Sequence, residues 1–372
     1  MGRVLLSGYY GFGNVGDEAI LASTVQALRR KQPDIEISVL SRNPAETAET
    51  HGVEAYPRMS PLQVAAAILS CDLVVFGGGS LLQDDTSLRS LLYYISVIFA
   101  SRALGKPVVV YANGIGPIRS RLGKVLTKAA LALTKKITVR DPESETFLRR
   151  IGVKRPVRVT ADPAFLLSPS SDERCSEIMR EAGISAERPL AYLAMRPGKA
   201  SDEFYSAVIS AVETLRSRGY EPCLLVMQGT DRQTADALND ALSTKGGKPM
   251  PLVAGKGPKD VLALLSKGSL CIGMRLHTLI LAASAGVPFM GVEIDPKIGA
   301  FCRAAGCPVL PDPRKGRGSD LDLELRRFIE SADELRRKLS EKLPLFRSLA
   351  EDNIDMVLSV LDGLPCPHGR TS

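Results

Sequence analysis

The chain has 372 residues, a formal net charge of +7 and a pI near 9.0. This length exceeds what one hydrophobic core comfortably holds, so two domains of ordinary size are expected. The positive charge favours an anionic partner, such as a phosphorylated metabolite or an anionic lipid surface. It does not indicate nucleic acid, because the chain has no Lys/Arg-rich tail and no basic stretch interleaved with aromatic residues.

Cysteine usage and hydropathy predict a soluble cytoplasmic protein. Seven cysteines and three histidines show neither CxxC pairing nor metal-ligand spacing, which is typical of a reducing compartment. Neither a metal nor a cofactor is expected. The chain opens directly on an apolar strand rather than on a signal peptide. The longest apolar stretch, residues 91–100, is too short to cross a bilayer.

The first part of the chain alternates apolar strands with helices. Strands are predicted at residues 3–7, 35–40, 72–76, 108–111, 137–139 and 157–160, and an irregular acidic patch is expected after the second of them. Short loops between alternating strands and helices favour a parallel sheet with helices on both faces. We therefore expect a Rossmann-like domain over residues 1–167.

The second part repeats this pattern after a polar, charged segment, residues 168–188, which is expected to be a linker with two short helical turns at most. Strands are predicted at residues 189–195, 222–227, 251–253 and 270–272, and helical periodicity at 320–343 and 349–361. A second Rossmann-like domain is expected over residues 189–345, followed by a helix and a tail at 346–372, the tail being disordered from 366. The predicted fold class is α/β, with two Rossmann-like domains that face a central cleft (GT-B-like) and are closed by C-terminal helices.

A glycine-rich turn follows the first strand. Residues 11–16, GFGNVG, match the G-x-G-x-x-G pattern, which in isolation predicts a dinucleotide site, with Ser41 and Arg42 favouring NADP. Against this, three residues separate the strand from the first glycine of the motif, and the second strand ends without an acidic residue. A turn that meets only a steric requirement explains the motif equally well. Within and beside it, the candidates for binding an acceptor substrate are Gly13, Asn14 and Asp17.

A second glycine turn, residues 77–85 (GGGSLLQDD), follows the third predicted strand. Its glycines let the backbone approach a ligand closely, and the following N–H groups can cradle an oxyanion. Asp84 and Asp85 can serve as acid, base or metal ligand, with capping of the next helix as the alternative. Gly78, Gly79 and Asp84 are therefore further candidates for acceptor binding. No carboxylate cluster has clear metal-ligand spacing, so no metal is expected.

Basic residues recur directly after predicted strands. In residues 269–294 an apolar run stops at Gly273, and Arg275, His277 and a helix of small residues follow. The unpaired N–H groups and the macrodipole at the start of such a helix favour an anion, although simple capping is the alternative. Arg presents a planar fork to carboxylate or phosphate, and Lys acts as a point charge. The other members of this basic set are Arg140, Arg196, Lys199 and Lys297.

Six segments occur in an order that resembles one known family: GYYGFGNVGDEAI, VVFGGGSLLQDDTS, NGIGPI, VRD, ADPAF and GMRLHTLILAASAGVPFMGVEIDPK. Together they resemble the polysaccharide pyruvyl transferases, and most closely the CsaB-like enzymes of bacterial secondary cell-wall polymer synthesis. The likeness runs from the first strand to about Lys297. It is specific because several motifs share one order, whereas a single glycine loop would be a weak signal.

The resemblance implies transfer of the pyruvyl group of phosphoenolpyruvate onto a sugar, with formation of a 4,6-linked ketal and release of phosphate. In CsaB-like enzymes the acceptor is expected to be a lipid-linked disaccharide containing N-acetylmannosamine, in a pathway that serves S-layer anchoring. The family's phosphoenolpyruvate-binding positions fall on Arg275, Leu276, His277 and Lys297, and the basic set adds Arg140 and Arg196. Because the methylene carbon of phosphoenolpyruvate must be protonated, His277 is the expected general acid and Asp84 the candidate base.

Several alternatives stay open on the residues alone. The fold also suits a nucleotide-sugar glycosyltransferase or epimerase. The first glycine turn would suit an NADP oxidoreductase, and the same fold would suit a non-catalytic sugar-binding protein.

A further interpretation concerns the helix predicted at residues 119–136, which is a candidate for peripheral contact with the anionic inner membrane leaflet. Charges on an ordinary solvated face are the alternative. Its basic residues are Arg121, Lys124, Lys128, Lys135 and Lys136.

Overall fold

The computed structural model describes residues 2–85, 87–185, 187–196, 202–312 and 321–364. The chain forms two compact units, each built from discontinuous segments. Unit 1 contains Met1–Phe12, Ile20–Leu166 and Phe346–Ser372, and unit 2 contains Gly13–Ala19 and Leu167–Leu345. Lys199 and the tail from residue 366 onward lie outside the described residues.

The sheet of unit 1 is parallel throughout. Its strands are β1 (Arg3–Tyr10), β2 (Glu36–Ser41), β3 (Glu54–Pro57), β4 (Leu73–Gly77), β5 (Val108–Asn113), β6 (Lys136–Val139) and β7 (Arg158–Val159). They pair in the order β3-β2-β1-β4-β5-β6-β7. All five residues of β4 are buried, which is why its sequence reads as a continuous apolar run rather than as an alternation.

The connections between these strands are mostly helical. They are α1 (Val15–Lys31), α2 (Pro44–His51), α3 (Pro61–Ser70), α4 (Leu88–Ala103), α5 (Arg121–Ala132) and α6 (Pro142–Arg150), with a 3₁₀ turn at Pro163–Leu166. The starts of α4, α5 and α6 are capped by the side chains of Ser87, Ser120 and Asp141, which accept backbone N–H groups of the first turn. Each such cap contributes about 1 kcal/mol.

Unit 2 has a second parallel sheet. Its strands are β8 (Leu190–Ala194), β9 (Glu221–Leu225), β10 (Leu252–Val253), β11 (Gly268–Gly273), β12 (Phe289–Glu293) and β13 (Val309–Pro311). They pair in the order β10-β9-β8-β11-β12-β13. The order reverses direction between β8 and β11, so the loops that follow these two strands diverge to opposite sides, as at the ligand-binding point of open α/β sheets.

The helices of the rest of the chain complete the fold. They are α7 (Asp172–Glu181), α8 (Asp202–Ser217), α9 (Arg232–Thr244), α10 (Pro258–Ser266), α11 (Leu276–Ser284), α12 (Pro296–Ala305), α13 (Leu321–Glu330) and α14 (Ala332–Asp362), with a 3₁₀ turn at Gly229–Asp231. Helix α14 has 31 residues and contains Pro344. It is assigned to unit 2 as far as Leu345 and to unit 1 from Phe346.

The core of unit 1 lies on both faces of its sheet. Leu5 of β1 belongs to a buried cluster that includes residues of α3, α4, α5 and α6. Its neighbours Val4 and Leu6 belong to another cluster, which includes residues of α1 and α14. Successive side chains of a strand point to opposite faces, so helices cover this sheet on both sides. Each fully buried aliphatic side chain contributes about 1.5–3 kcal/mol.

A buried amide fixes the second half of α14 to the sheet of unit 1. The Asn353 Oδ1 accepts hydrogen bonds from the hydroxyls of Thr138 and Thr160, at 2.7 and 2.8 Å. Its Nδ2 donates to the carbonyl of Ala161 at 3.0 Å. Because the Asn353 side chain is fully buried, these bonds satisfy polar atoms that could not reach water.

The predicted α/β fold class with two parallel sheets is confirmed, and most predicted strands agree with the observed ones within a few residues. Two segments differ from the prediction. The patch expected to be irregular contains α2 and the four-residue edge strand β3, and the expected linker at 168–188 contains the ten-residue helix α7, which belongs to unit 2. None of the helices in the described ranges combines the length and the apolar character needed to cross a bilayer.

Candidate active site

The carboxyl edge of the sheet in unit 2 gathers most of the basic residues singled out from the sequence. The strands β9, β8, β11 and β12 are consecutive neighbours in this sheet and run parallel. Since parallel strands end at one edge, the loops that follow them are adjacent. Those loops carry Arg196 after β8, Asp231 after β9, Arg275 and His277 after β11, and Lys297 after β12.

The turn after β11 places Arg275 and His277 at a helix N-terminus. Met274 N donates to the carbonyl of Ala194 at 2.9 Å, which extends the pairing of β11 with β8 by one residue. Arg275 is the N-cap residue of α11 in an extended conformation, and its side chain does not cap the helix. The start of α11 thus has no side-chain cap from Arg275, and it carries the partial positive charge of a helix N-terminus, which favours an anion.

Arg275 forms a bidentate ion pair with Asp231. The Nε donates to Oδ2 at 3.1 Å, and Nη2 forms a shorter contact with Oδ1. The Asp231 side chain is only 2% exposed and also accepts the N–H of Gln228 at 3.2 Å. The pair fixes the plane of the guanidinium and leaves three of its five N–H donors for a ligand.

Asp231 was not identified from the sequence. Its only sequence signal is its position six residues after the end of β9, at the same sheet edge as the basic set. Its importance depends on a contact with a residue 44 positions away, and sequence spacing does not reveal such a contact.

His277 lies against the first turn of α1. A Cβ atom added to Gly16 would overlap the Nδ1 and Cγ atoms of the His277 ring. Next to it, Val15 N donates to the carbonyl of Met227 at 2.9 Å. The third glycine of the GFGNVG motif therefore provides room for an imidazole of unit 2.

Asn14 and Asp17 stabilise this same turn. The Asn14 Oδ1 accepts the N–H of Gly16 at 3.1 Å, and its Nδ2 donates to Asp17 Oδ2 at 2.6 Å. Asn14 therefore acts as the cap of α1 and holds the largely buried Asp17. Gly13 has a positive φ of 64° and no other atom near the position of a Cβ. These three candidates for acceptor binding belong to unit 2, together with His277.

Leu276 and Lys297 lie at two adjacent helix starts. Leu276 is the first residue of α11 and is partly exposed. Lys297 is the second residue of α12, and its N–H is accepted by the N-cap residue Asp295 at 3.0 Å. Arg196 is exposed directly after β8. The structure thus brings five of the six candidates for phosphoenolpyruvate binding to the carboxyl edge of one sheet, and Arg140 is the exception.

Arg140 is found in unit 1, in a different setting from the other basic residues. Its side chain is 5% exposed, and Nη1 donates to the buried carboxylate of Asp162 at 2.6 Å. Nη2 donates to Ser80 Oγ at 3.0 Å, in the second glycine turn. Its guanidinium also lies so close to Gly114 that a Cβ there would be 2.9 Å from it. Arg140 therefore links the loops after β4 and β7 by hydrogen bonds and packs against the loop after β5.

The second glycine turn, which contains the predicted acceptor residues Gly78 and Gly79, is built against the end of β5. Both glycines have a positive φ, at 79° and 70°. Gly78 N donates to the carbonyl of Tyr111 at 2.9 Å, and the Gly79 carbonyl accepts the N–H of Gly114 at 2.8 Å. Much of the backbone expected to cradle an oxyanion is thus used within the protein. Beside it, the fully buried Asn113 Nδ2 has no hydrogen-bond partner in the described structure.

Asp84 accepts two backbone hydrogen bonds. Its Oδ1 and Oδ2 accept the N–H groups of Arg119 and Ser120 at 2.7 and 2.9 Å, just before α5. Burial acts to raise the pKa of this carboxyl, but the hydrogen bonds from Arg119 and Ser120 outweigh it, and the pKa is lowered. Asp85 pairs with the exposed Arg119 at 2.7 Å. Asp84 thus binds the backbone that precedes α5, and it caps neither α4 nor α5, whose caps are Ser87 and Ser120.

The cysteines of the described ranges are not expected to be reactive. Six of them fall within the described ranges, and all six are buried and free. Burial raises the pKa of each of these thiols, which keeps them protonated and unreactive at neutral pH. Across the described segments, no group of three or more His, Cys, Asp or Glu side chains is arranged to hold a metal ion.

Comparison with known proteins identifies a family whose profile matches this chain and a protein of similar sequence. The profile of the family described as polysaccharide pyruvyl transferase matches residues 14–296. The chain is also similar to the amylovoran biosynthesis protein AmsJ of Erwinia amylovora, with 22% identity over 364 residues. That alignment covers 82% of this chain and 86% of AmsJ.

Two solved structures show the same fold. HepE of Anabaena, crystallised with UDP-glucose, matches with a TM-score of 0.64 and 13% identity over 98% of this chain and 100% of its own. The UDP-GlcNAc 2-epimerase of Neisseria meningitidis matches with a TM-score of 0.63 and 13% identity, over 96% and 100%. At such identities the likeness establishes the fold alone, that of proteins with two Rossmann-like domains. The family profile covers well over half of the chain, and the chain therefore belongs to the polysaccharide pyruvyl transferase family and is a pyruvyltransferase enzyme.

Proposed function

We propose that the protein transfers the pyruvyl group of phosphoenolpyruvate to a saccharide, forms a 4,6-pyruvate ketal and releases phosphate. The observation that carries this proposal is the pair of Arg275, oriented by buried Asp231, and His277 at one helix N-terminus. A fixed guanidinium fork beside an imidazole can both bind a substrate that has two anionic groups and supply it with a proton.

Phosphoenolpyruvate would meet several cationic groups at this edge. It carries a carboxylate and a phosphate, and Arg275, Lys297 and the exposed Arg196 follow neighbouring strands. The N-termini of α11 and α12 add partial positive charge of about half an elementary charge each. Arg140 is the least supported member of the proposed set, because its guanidinium is engaged by Asp162 and Ser80.

The proposed reaction proceeds by protonation and addition. His277 donates a proton to the methylene carbon, which becomes a methyl group, and positive charge develops at the central carbon. The sugar O4 forms a bond to this carbon, and the sugar O6 displaces phosphate from it, which completes the ketal. One hydroxyl proton restores His277 and the other leaves with phosphate, so atoms and charge balance.

The base role proposed for Asp84 has less support than the acid role of His277. Both carboxylate oxygens accept backbone hydrogen bonds, and a lowered pKa means a low affinity for a proton. An ionised Asp84 could still orient an acceptor hydroxyl by accepting a third hydrogen bond. Gly78 and Gly79 would let such an acceptor approach the backbone closely.

The proposed acceptor is a lipid-linked disaccharide that contains N-acetylmannosamine, as in CsaB-like enzymes of cell-wall polymer synthesis. A saccharide acceptor is supported by the relative AmsJ, which is named for the biosynthesis of a polysaccharide, amylovoran. An acceptor with a lipid anchor would place the enzyme at the cytoplasmic face of the membrane as a peripheral protein. No metal or cofactor takes part in this proposal.

The experiment that tests the function combines phosphate release with mass spectrometry. The purified protein is incubated with phosphoenolpyruvate and a soluble analogue of the lipid-linked disaccharide. We expect stoichiometric phosphate and a product heavier by one pyruvate ketal. UDP-glucose serves as the control donor for the glycosyltransferase alternative, and its consumption without use of phosphoenolpyruvate would overturn the proposal.

His277→Ala gives the matching test of the proton donor. We expect phosphate release to fall by about 10²–10⁴-fold, the usual contribution of a general acid, with an unchanged far-UV spectrum and melting temperature. Full activity in this variant would remove the acid role of His277 while leaving the family assignment intact.

A further inference from the structure

The positive charge of the chain is concentrated in one segment of unit 1. Residues 119–155 contain eleven lysine and arginine residues but only three aspartate and glutamate residues, which gives a net charge of +8. The whole chain has a net charge of +7. The rest of the protein is therefore close to neutral, and the basic pI reflects a local feature formed by α5, α6 and their neighbouring loops.

Helix α5 in this segment exposes an apolar stripe. Leu122, Val125 and Leu133 are 56%, 64% and 41% exposed, and Ala129 between them is also exposed. Their spacing of three and four residues places them on one side of the helix. Leu133 is the first residue after its end. The opposite side, with Thr127 and Leu131, is buried in unit 1. A helix that is merely solvated carries polar residues at such positions.

Cations border this stripe. The side chains of Arg121, Lys124 and Lys128 form no ion pair and no hydrogen bond within the described residues. They contrast with Arg149, which is paired with Glu145 one turn earlier in α6. Their positive charge is thus available to an external partner.

A groove of about 640 Å³ lies beside the same helix. Apolar side chains, among them Val125, Phe147 and Ile151, line it together with Lys124, Lys128 and Arg150. A fourth cation at the groove, Arg119, is paired with Asp85. A concave surface with apolar walls and these cations suits a phosphate group that is attached to a hydrocarbon chain.

We infer that α5 and this groove form a docking surface for an anionic phospholipid membrane, with the apolar stripe inserted at the headgroup level. An exposed apolar face bordered by lysine and arginine is what binds helices to such interfaces. A second copy of this chain is disfavoured as the occupant because it would bring two surfaces of like charge together. The biological role of this surface rests on the proposed function, since a lipid-linked acceptor lies in a membrane. The surface itself is inferred from α5 and the adjacent groove.

The test is flotation of the full-length protein with vesicles. Phosphatidylcholine vesicles containing phosphatidylglycerol are compared with vesicles of phosphatidylcholine alone. We expect binding only to the anionic vesicles, and we expect it to weaken with added salt. In Lys124→Gln/Lys128→Gln, partitioning should fall by roughly 25-fold, because each cation near an anionic surface contributes roughly a fivefold factor.

A second variant separates insertion from simple charge attraction. Leu122→Ser/Val125→Ser should bind anionic vesicles several-fold more weakly while keeping the salt dependence of the wild type. Leu62 and Leu69 of α3 are as exposed, but α3 has no charged residue, so Leu62→Ser/Leu69→Ser is the matched apolar control and should bind normally. Lys245→Gln/Lys248→Gln in unit 2 is the matched charge control.

The outcomes decide between the possible partners. Absence of flotation with anionic vesicles, or equal losses in the α5 variants and the controls, would overturn the inference. Binding of the wild type to duplex DNA but not to vesicles would do the same and would indicate a polyanion site. Phosphate release with the soluble acceptor analogue should be unchanged in all four variants. Vesicle binding without any such activity would refute the proposed function and leave the docking surface standing.

Discussion

Asp231 is the residue that determines how Arg275 can act. A buried carboxylate that holds a guanidinium by two bonds fixes its orientation before any ligand arrives, so little ordering remains to be done on binding. It also reduces the net charge at Arg275, which makes Lys297 and the helix N-termini more important for attracting an anion. Binding of an anion by Arg275 therefore depends on the direction of its N–H donors more than on its charge.

Asp231→Asn tests this orientation. The variant keeps the size of the side chain but removes one acceptor and the charge, so we expect kcat/KM for phosphoenolpyruvate to fall by about 10–100-fold, with a stability loss of about 3 kcal/mol, the lower end for a broken buried pair. Steady-state kinetics and urea unfolding measure the two effects. Arg232 and Asp236 form an exposed pair on the following helix, and Asp236→Asn should change neither quantity. Wild-type kinetics in Asp231→Asn would show that the ion pair is not needed for binding.

Gly16→Ala tests the contact between α1 and the imidazole. The added Cβ would overlap the His277 ring, so the ring must move, and a displacement of about 1 Å at a catalytic group costs on the order of 10²-fold in rate. Turnover in the phosphate-release assay measures this loss.

Gly13→Ala is the matched control for Gly16→Ala. It meets no atom within 4 Å but has a positive φ, so it should lose about 1 kcal/mol of stability and keep its turnover. If Gly16→Ala also retained full turnover, the present position of His277 would not be the one used in catalysis.

At the level of elements, the loop between β4 and α4 is tied to the start of α5 by Asp84. Its two carboxylate oxygens bridge from the glycine turn to the backbone just before that helix. The same carboxylate therefore links the proposed acceptor region to the first turn of the basic helix.

The stabilisation that these two hydrogen bonds of Asp84 provide should depend on pH. The pKa of Asp84 is lowered from an ordinary value of 3.8, because the hydrogen bonds to the carboxylate outweigh the effect of burial. A group with a lowered folded-state pKa stabilises the protein above its unfolded-state pKa and loses this contribution as the pH falls through the folded-state pKa. Asp84→Asn should thus cost about 1 kcal/mol at neutral pH and nothing in strong acid.

Urea unfolding of the wild type and of Asp84→Asn, from neutral pH into strong acid below the lowered pKa of Asp84, measures how their difference in stability changes. The matched control is Asp85→Asn, since Asp85 makes only an exposed ion pair with Arg119, and such pairs contribute little. A destabilisation by Asp84→Asn that stays the same at all pH values would contradict the assignment of a charged tie.

The buried amide of Asn353 is the clearest structural contact of α14. Asn353→Ala removes the partner of the Thr138 and Thr160 hydroxyls and of the Ala161 carbonyl, so we expect a loss of about 2–4 kcal/mol in the free energy of unfolding. Asp352→Asn, which breaks an exposed pair with Arg158, should cost less than about 1 kcal/mol. Equal effects of the two changes in urea unfolding would show that the buried network is dispensable.

Sequence patterns predicted some of these elements and not others, for physical reasons. Strands such as β4 and β11 are continuous apolar runs bounded by glycine, and this local signal is enough. Helix α2 has only eight residues, of which Thr47 alone is buried, so no apolar periodicity reveals it. The partners of Arg275 and His277 were not predictable, because Asp231 and Gly16 are brought to them by the tertiary fold.

At the scale of the whole molecule, sequence order and spatial grouping differ. The first turn of α1 and the second half of α14 belong to a different unit from the residues that precede or follow them in the same helix. A boundary near residue 167 was predictable from the restart of the strand-helix alternation. The assignment of residues 13–19 to unit 2 and of residues 346–372 to unit 1 was not predictable. Nothing in the local sequence of these segments indicates which sheet they will pack on.

The second half of α14 has a consequence for how the protein is made. Ile354 and Val357 are fully buried against Val4, Leu6 and the rest of one face of the first sheet. During synthesis, the ribosome makes residues 167–345 of unit 2 before it makes the second half of α14, which packs on this face. Until then α1 covers only part of this face, so the nascent N-terminal sheet exposes apolar surface through much of translation, which is the stage at which a chaperone would be most needed.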